Sequence, residues 1–197
     1  MYAFVKNSQV ISIDILGRFN VKWQNGGWTT AHKEYVQTCL STVKNRTIVL
    51  AAQIANLLSV LPMHECYTDL RNRLKSLSNL MNCMAGEIMG PRNLKITCCD
   101  LGPEVSAIIW KPLVPSPLYD DKLTLNINSS CNFFEENDRG NSTLFHEISH
   151  LCGTDDGESN NEWMSAHSVE SIMEQDVKNW IYYKYEKMMA DKCYCKK

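Results

Sequence analysis

The segment richest in reactive side chains is Asn141-Ser-Thr-Leu-Phe-His146-Glu147-Ile-Ser-His150-Leu-Cys-Gly153-Thr-Asp155-Asp156. It contains H-E-x-x-H, a spacing by which two imidazoles on one helix face grip zinc while the glutamate between them serves as a base. Residues advance about 100° in a helix, so His146 and His150 fall about 40° apart and one turn along, where they can take adjacent corners of a tetrahedral site. Glu147 stands beside that face. Leu144, Ile148 and Leu151 lie about 140° to 200° round from His146, so the helix can bury its back while its front holds an ion. Asn141 or Ser142 is the expected cap. Random placement of five histidines would produce such a motif in about one chain in a hundred. The alternative is a pair of hydrogen-bonded histidines on a helix surface.

A catalytic zinc takes three protein ligands and leaves its fourth position to water. Gly153, three residues past His150, suits a left-handed turn that ends the helix and sends the chain back toward the metal. Asp156 is then the first carboxylate able to reach round. Asp155 is its rival, and either side chain can instead cap a turn. Glu170, on a following helix, would complete the site in a different way. Two neutral imidazoles and one carboxylate leave zinc acidic enough to bring a water toward a pKa of about 7 and to polarise a peptide carbonyl. Glu147 would take the proton of that water and pass it to the leaving amine. Glu162, Glu170 and Glu174 are candidates to orient the imidazoles from behind.

The elements around this segment follow from periodicity. Alternation around Val10 to Trp23, closed by Asn25-Gly26-Gly27, predicts a β-hairpin or meander. A long helix is expected from Thr30, as N-cap, to Leu61, with Val36, Cys39, Leu40, Val43, Ile48, Leu50, Ala51, Ile54, Leu57 and Leu58 inward, a bend near Asn45 and a stop at Pro62. A second, from about Thr68 to Met84 and ending near Gly86 and Gly90-Pro91, carries Leu70, Leu74, Leu77, Leu80 and Met81 on one stripe and should lie antiparallel to the first. Leu94–Cys98, Val105–Trp110 and Leu123–Ile127 read as strands of one sheet, with a proline-rich loop between the last two. The chain then turns helical over Asn141–Cys152 and again from about Ser165 to Asp191. The fold class is α+β, in one domain: residues 1–92 a β-hairpin plus helices, residues 93–197 the catalytic part.

With 197 residues, 44% hydrophobic and 21% charged, and a net charge of -2, the chain is sized and composed for a folded core and lacks the basic excess of a nucleic-acid binder. No apolar run approaches a bilayer's thickness, and no basic leader with a cleavage site opens the sequence. Nine cysteines are an odd number, so at least one is free or paired outside the chain. Cys98-Cys99 and Cys193-x-Cys195 are too close to pair internally as ordinary disulfides or to form a zinc knuckle. A disulfide-rich binding module is therefore a competing class. Sequons at Asn45, Asn128 and Asn141 read as chance triplets unless the chain passes a eukaryotic secretory route.

Four stretches, Leu123-Thr-Leu-Asn-Ile-Asn, Cys131-Asn-Phe-Phe, Ser142-Thr-Leu-Phe-His-Glu-Ile-Ser-His and Gly153-Thr-Asp-Asp156, resemble the aspzincins, the deuterolysin and lysine-specific metalloendopeptidase group. The likeness runs from Leu123 to the helix containing Ser165-Ala-His-Ser-Val-Glu170. It implies a zincin-like fold: N-terminal helices packed on a small mixed sheet, an active-site helix bearing H-E-x-x-H, and a long C-terminal helix. It also implies a zinc metalloendopeptidase, a hydrolase with His146, His150 and Asp156 as metal ligands, zinc as cofactor and Glu147 as catalytic base. The family's G-T-x-D segment continues to a tyrosine three residues after the aspartate, proposed to help stabilise the transition state. This chain has Ser159 there, with His167 or Tyr119 as possible substitutes. That departure sustains a second expectation, a catalytically inactive zinc-binding relative acting as a binding or effector module. The spacing H-E-x-x-H-x-x-G-x-x-D also resembles snapalysin-type metzincins, whose methionine turn underlies the metal; Met164 and Met173 are the residues available for it.

The expected partner is a protein or peptide substrate, bound along an edge strand offered by Leu123–Ile127 or Val105–Trp110. No nucleic acid, no membrane and a monomeric state are expected, with secretion or delivery as an effector as the localisation. Asp120, Asp121, Glu135 and Glu136 are either solvated surface or the acidic pocket that gives some relatives their preference for lysine.

Overall fold

The computed structural model describes residues 21–24, 28–89, 93–99, 107–110, 122–128, 137–156, 162–175 and 177–182. Strand β1 (Lys22–Gln24) precedes helix α1 (Thr30–Val60), a short 3-10 turn at Glu65–Tyr67 and helix α2 (Thr68–Met89). Strands β2 (Asn93–Cys99), β3 (Ala107–Trp110) and β4 (Lys122–Asn128) follow, then helix α3 (Asn137–Leu151), a 3-10 turn at Glu162–Met164 and helix α4 (Ala166–Glu174). Residues 177–182 are also helical. The described chain is mostly helical.

Helix α1 forms because its inward residues recur at alternating steps of three and four: Val36, Leu40, Val43, Thr47, Leu50 and Ile54 are all buried. Its N-cap is Thr29 rather than Thr30, with Thr29 Oγ1 accepting from the His32 N–H at 3.1 Å. Ile48 is exposed, contrary to the sequence expectation, because Thr47 holds the inward position and settles its hydroxyl on the Val43 carbonyl at 2.7 Å. Helix α2 runs past Gly86 to Met89, further than its stripe suggested. Burying Ile88 is worth about 2 kcal/mol, more than the roughly 1 kcal/mol a helical glycine costs. The two helices pack on each other across the turn that Arg71 fastens by donating to the carbonyls of Leu61 and Pro62.

The strands form one sheet in the order β1-β2-β4-β3, parallel across β1/β2 and β2/β4 and antiparallel across β3/β4. Among the described residues Lys22–Gln24 pairs in parallel with β2, Trp23 opposite Ile96, a partner far along the chain. Residues 1–20 and 25–27, on which the rest of the hairpin expectation falls, lie outside the described residues. Ile96 and Thr97 are neighbours that point to opposite faces, and both are buried, so the sheet is covered on both sides at β2. Strand β4 is paired on both sides and offers no edge, which corrects the expectation for Leu123–Ile127. Strand β3 is an outer strand of the described sheet and packs against α3.

Helix α3 begins at Asn137, one turn earlier than expected, so Asn141 and Ser142 lie within it and do not cap it. Gly140 lets its first turn approach α1: a Cβ there would stand 3.0 Å from Cys39 Sγ. Helix α4 has Ser165 as N-cap and ends at Gln175, whose extended backbone (φ -112°, ψ 156°) interrupts the long C-terminal helix predicted from sequence. Unbroken, Val177 and Ile181 would stand about 80° and 120° round from Val169. The break re-phases the chain so that Val177, Trp180 and Ile181 are all buried with Val169 and Ile172. Arg46 of α1 reinforces it by donating to the carbonyls of Ile172 and Gln175. No described helix is long and apolar enough to cross a membrane.

Candidate metal centre

Leu144, Phe145, Ile148 and Leu151 fix α3 in the core, which leaves His146 and His150 on its opposite side with side chains 12% and 23% exposed. His146, Glu147 and His150 form a cluster that could hold a metal ion: one ring nitrogen from each histidine and a carboxylate oxygen of buried Glu147 lie within 4.8 Å of one another. His150 is in the last turn of α3, where the helix dipole favours positive charge.

The chain returns to this cluster through a compact C-terminal cap. Gly153 adopts φ 91°, a left-handed conformation costly for any residue with a Cβ. Its N–H donates to the His150 carbonyl at 3.2 Å, and that of Thr154 to Ser149 at 3.4 Å, the paired bonds of a Schellman motif. Ser149 Oγ donates to the His146 carbonyl at 2.7 Å, so the Thr154 hydroxyl is left to donate to Ser149 Oγ at 2.6 Å. The Asp155 carbonyl accepts from Ala166 N–H at 2.9 Å, which joins the turn to the start of α4.

Asp156 is delivered by this turn with one oxygen, Oδ1, 2.9 Å from His146 Nε2 and 3.2 Å from His150 Nε2. Two ligands about 2.05 Å from a tetrahedral zinc stand about 3.3 Å apart, so both spacings approach an edge of such a site. The outer nitrogens have fixed partners. His150 Nδ1 lies 2.9 Å from the Thr154 carbonyl, which can only accept, so Nδ1 carries a hydrogen and, in the neutral ring, the lone pair is left to Nε2. His146 Nδ1 lies 3.1 Å from Glu170 Oε2. The His146 hydrogen bond holds the Glu170 carboxyl below its ordinary range against the opposing effect of burial, so that oxygen also accepts. Burial alone would lower the His146 pKa; the Glu170 hydrogen bond and the charges of Glu147, Glu170 and Asp156 outweigh it and raise the value. Two Nε2 lone pairs and a carboxylate oxygen facing one spot repel each other unless a cation lies between them. A proton on His146 meets that need in part, and a divalent ion meets it fully. On this ground the donor set fits a metal ion of borderline softness.

Of the three residues considered as third ligand, Asp156 faces both imidazoles, Asp155 is exposed and Glu170 meets the opposite nitrogen of His146. Glu170 is thus one of the three acids proposed to sit behind the imidazoles; the side chains of Glu162 and Glu174 lie outside the described residues. His167 is 68% exposed, with its ring centroid 4.7 Å from that of His146. Met164 and Met173 pack against the core as partly buried residues. Ser159, Tyr119, Asp120, Asp121, Glu135 and Glu136 lie outside the described residues.

Sequence reasoning did not find the Cys83–Cys152 disulfide, which ties α2 to the end of α3 directly before Gly153. Cys152 stands two residues after His150, but nine cysteines allow too many pairings for that position to name its partner. Cys66 is disulfide-bonded as well. Cys39 is a free, buried thiol whose pKa burial pushes up. No protein-family model and no curated protein matches this chain.

Proposed function

We propose that this protein is a zinc-dependent endopeptidase of zincin-like, aspzincin type, with His146, His150 and Asp156 as zinc ligands and Glu147 as general base. The observation that carries the reading is the convergence of two Nε2 atoms on one Asp156 oxygen, with Glu147 buried alongside. Zinc bound there would supply Lewis acidity, lowering the pKa of a water toward about 7 and polarising the scissile carbonyl. The Thr154 carbonyl and the Glu170 carboxylate hold both imidazoles with their Nε2 lone pairs inward, so no reorientation precedes metal uptake. Glu147, buried beside the two imidazoles, would receive a proton from the attacking water and return it to the departing amine. Outer strand β3, packed on α3, suits an extended peptide that adds to the sheet by main-chain hydrogen bonds.

The test compares zinc content and hydrolysis of a denatured protein by wild type and Glu147→Gln. Wild type should carry zinc and cleave, a chelator should stop cleavage, and Glu147→Gln should keep zinc while losing about 10²–10⁴-fold in rate. Undiminished hydrolysis by Glu147→Gln removes the proposed base. Ser159 at the place of the family tyrosine favours one other reading, a zinc-binding relative that recognises a partner without cutting it; bound zinc with no cleavage by wild type would select it.

A further inference from the structure

We propose a second zinc site on the outer side of His146, formed by His167 Nδ1 and Glu170 Oε2. The His146 ring separates two donor sets. Its Nε2 faces Asp156, while its Nδ1 faces Glu170 Oε2 at 3.1 Å, and beyond that oxygen stands His167 with Nδ1 3.7 Å away. One nitrogen from each of these two imidazoles and the Glu170 carboxylate lie within 4.8 Å of one another, a group that shares His146 with the one containing Glu147 and His150.

His167 and Glu170 are three residues apart on α4 and so share a face of one helix. That helix is held at its start by the Ser165 cap and at its end by Arg46, so the pair is presented on a fixed element. Imidazole and carboxylate are donors that zinc accepts, and the 3.7 Å separation is within a small side-chain rotation of the roughly 3.3 Å expected of two tetrahedral ligands. The exposure of His167 leaves the remaining positions of the ion to water.

A neutral imidazole has one lone pair, and in His146 it is at Nε2, committed to the inner set. The outer ion is therefore held by His167 and Glu170 alone, and it draws the Glu170 oxygen away from the His146 N–H. Two consequences follow from that competition. The outer site binds more weakly than the inner one, having fewer protein ligands, and filling it loosens the hold on His146. The first consequence is independent of any activity; the second, that excess zinc depresses hydrolysis, rests on the endopeptidase reading.

Calorimetric titration of metal-free protein with zinc chloride tests this. Wild type should take up two equivalents in a tight and a weaker class. His167→Ala, at an exposed position, should lose the weaker equivalent and keep the tight one, while His64→Ala, which removes an exposed imidazole elsewhere, should keep both. A single class in wild type that His167→Ala leaves unchanged, a weaker class that survives His167→Ala, or one that disappears with His64→Ala overturns the outer site. The inner site is tested separately by His150→Ala, which should abolish the tight class; survival of that class defeats the proposed catalytic centre and leaves the outer site standing. Where wild type hydrolyses protein, the rate should fall as the second equivalent fills, and that fall should be absent in His167→Ala.

Discussion

In the α1–α2 pair the buried positions are apolar except Thr47, whose hydroxyl finds its acceptor within its own helix. Between Asn137 and Tyr182 the buried residues include Ser142, Glu147, Ser149 and Thr154, and the contacts that shape the site are hydrogen bonds, His146 to Glu170 and Asp155 to Ala166 between elements and His150 to Thr154 across the end of α3. Apolar contact has no preferred direction, so the first region is specified by volume and pattern. A buried polar group left without its partner costs about 1–3 kcal/mol, so the second region is specified by pairing. One region is a support that can be altered in small steps. The other holds donor atoms in fixed directions, and small changes there move those atoms.

The largest effect is expected where the two regions are covalently joined. The Cys83–Cys152 bridge spans 69 residues of sequence, and loop-closure entropy assigns a link of that span about 4 kcal/mol. Replacing both cysteines by serine should lower the denaturant midpoint sharply and also weaken zinc binding, because Cys152 immediately precedes the turn that delivers Asp156. An unchanged zinc affinity would mean that the Schellman cap holds Asp156 without help from α2. Next in size is Leu77→Ala in α2, a fully buried leucine whose truncation should cost about 2–5 kcal/mol. This variant sharpens the contrast: its stability should fall while the zinc affinity of the folded protein stays as in wild type. Glu170→Gln should do the reverse, with a modest change in stability and about a 10–100-fold loss of affinity at the inner site, since the amide holds the His146 N–H less strongly. Equal zinc affinity in wild type and Glu170→Gln would break the claim that pairing specifies the site.

The same contrast decides what could be read from sequence. The face of α3, the roles of Leu144, Ile148 and Leu151, and the return of the chain at Gly153 were legible because each depends on residues within one or two turns of each other. Local periodicity also marked the strands and both long helices. The third-ligand question stayed open in the sequence because Asp155, Asp156 and Glu170 differ only in where tertiary structure sends them. The Thr154 carbonyl that orients His150 is main chain and leaves no mark on residue type. The parallel pairing of β1 with β2, the interruption at Gln175 answered by Arg46, and the partner of Cys152 are all contacts between distant segments, to which a period of two or 3.6 residues is blind.

The smallest expected effect is the pH dependence of the metal-free protein, and it separates the two regions by shape rather than size. His146 is raised above its ordinary 6.5, with burial opposing and the Glu170 hydrogen bond leading the favourable causes; Glu170 is lowered below its ordinary 4.5, chiefly by its hydrogen bond to His146. A group raised on folding contributes fully below its unfolded pKa and loses that contribution as pH climbs through the folded value. A group lowered on folding contributes above its unfolded pKa and loses it as pH drops through the folded value. The pair therefore stabilises most between about pH 4.5 and 6.5 and less on either side. The difference in melting temperature between wild type and Glu170→Gln, measured with a chelator present, should peak in that window, whereas the difference between wild type and Leu77→Ala should be flat across it. Zinc should reverse the alkaline limb, because the ion needs the His146 Nε2 lone pair and so competes with the proton that the metal-free site retains. Stability that falls with rising pH above that window in the chelated protein should rise over the same range in the zinc-loaded one; a common sign in both would detach His146 from the metal.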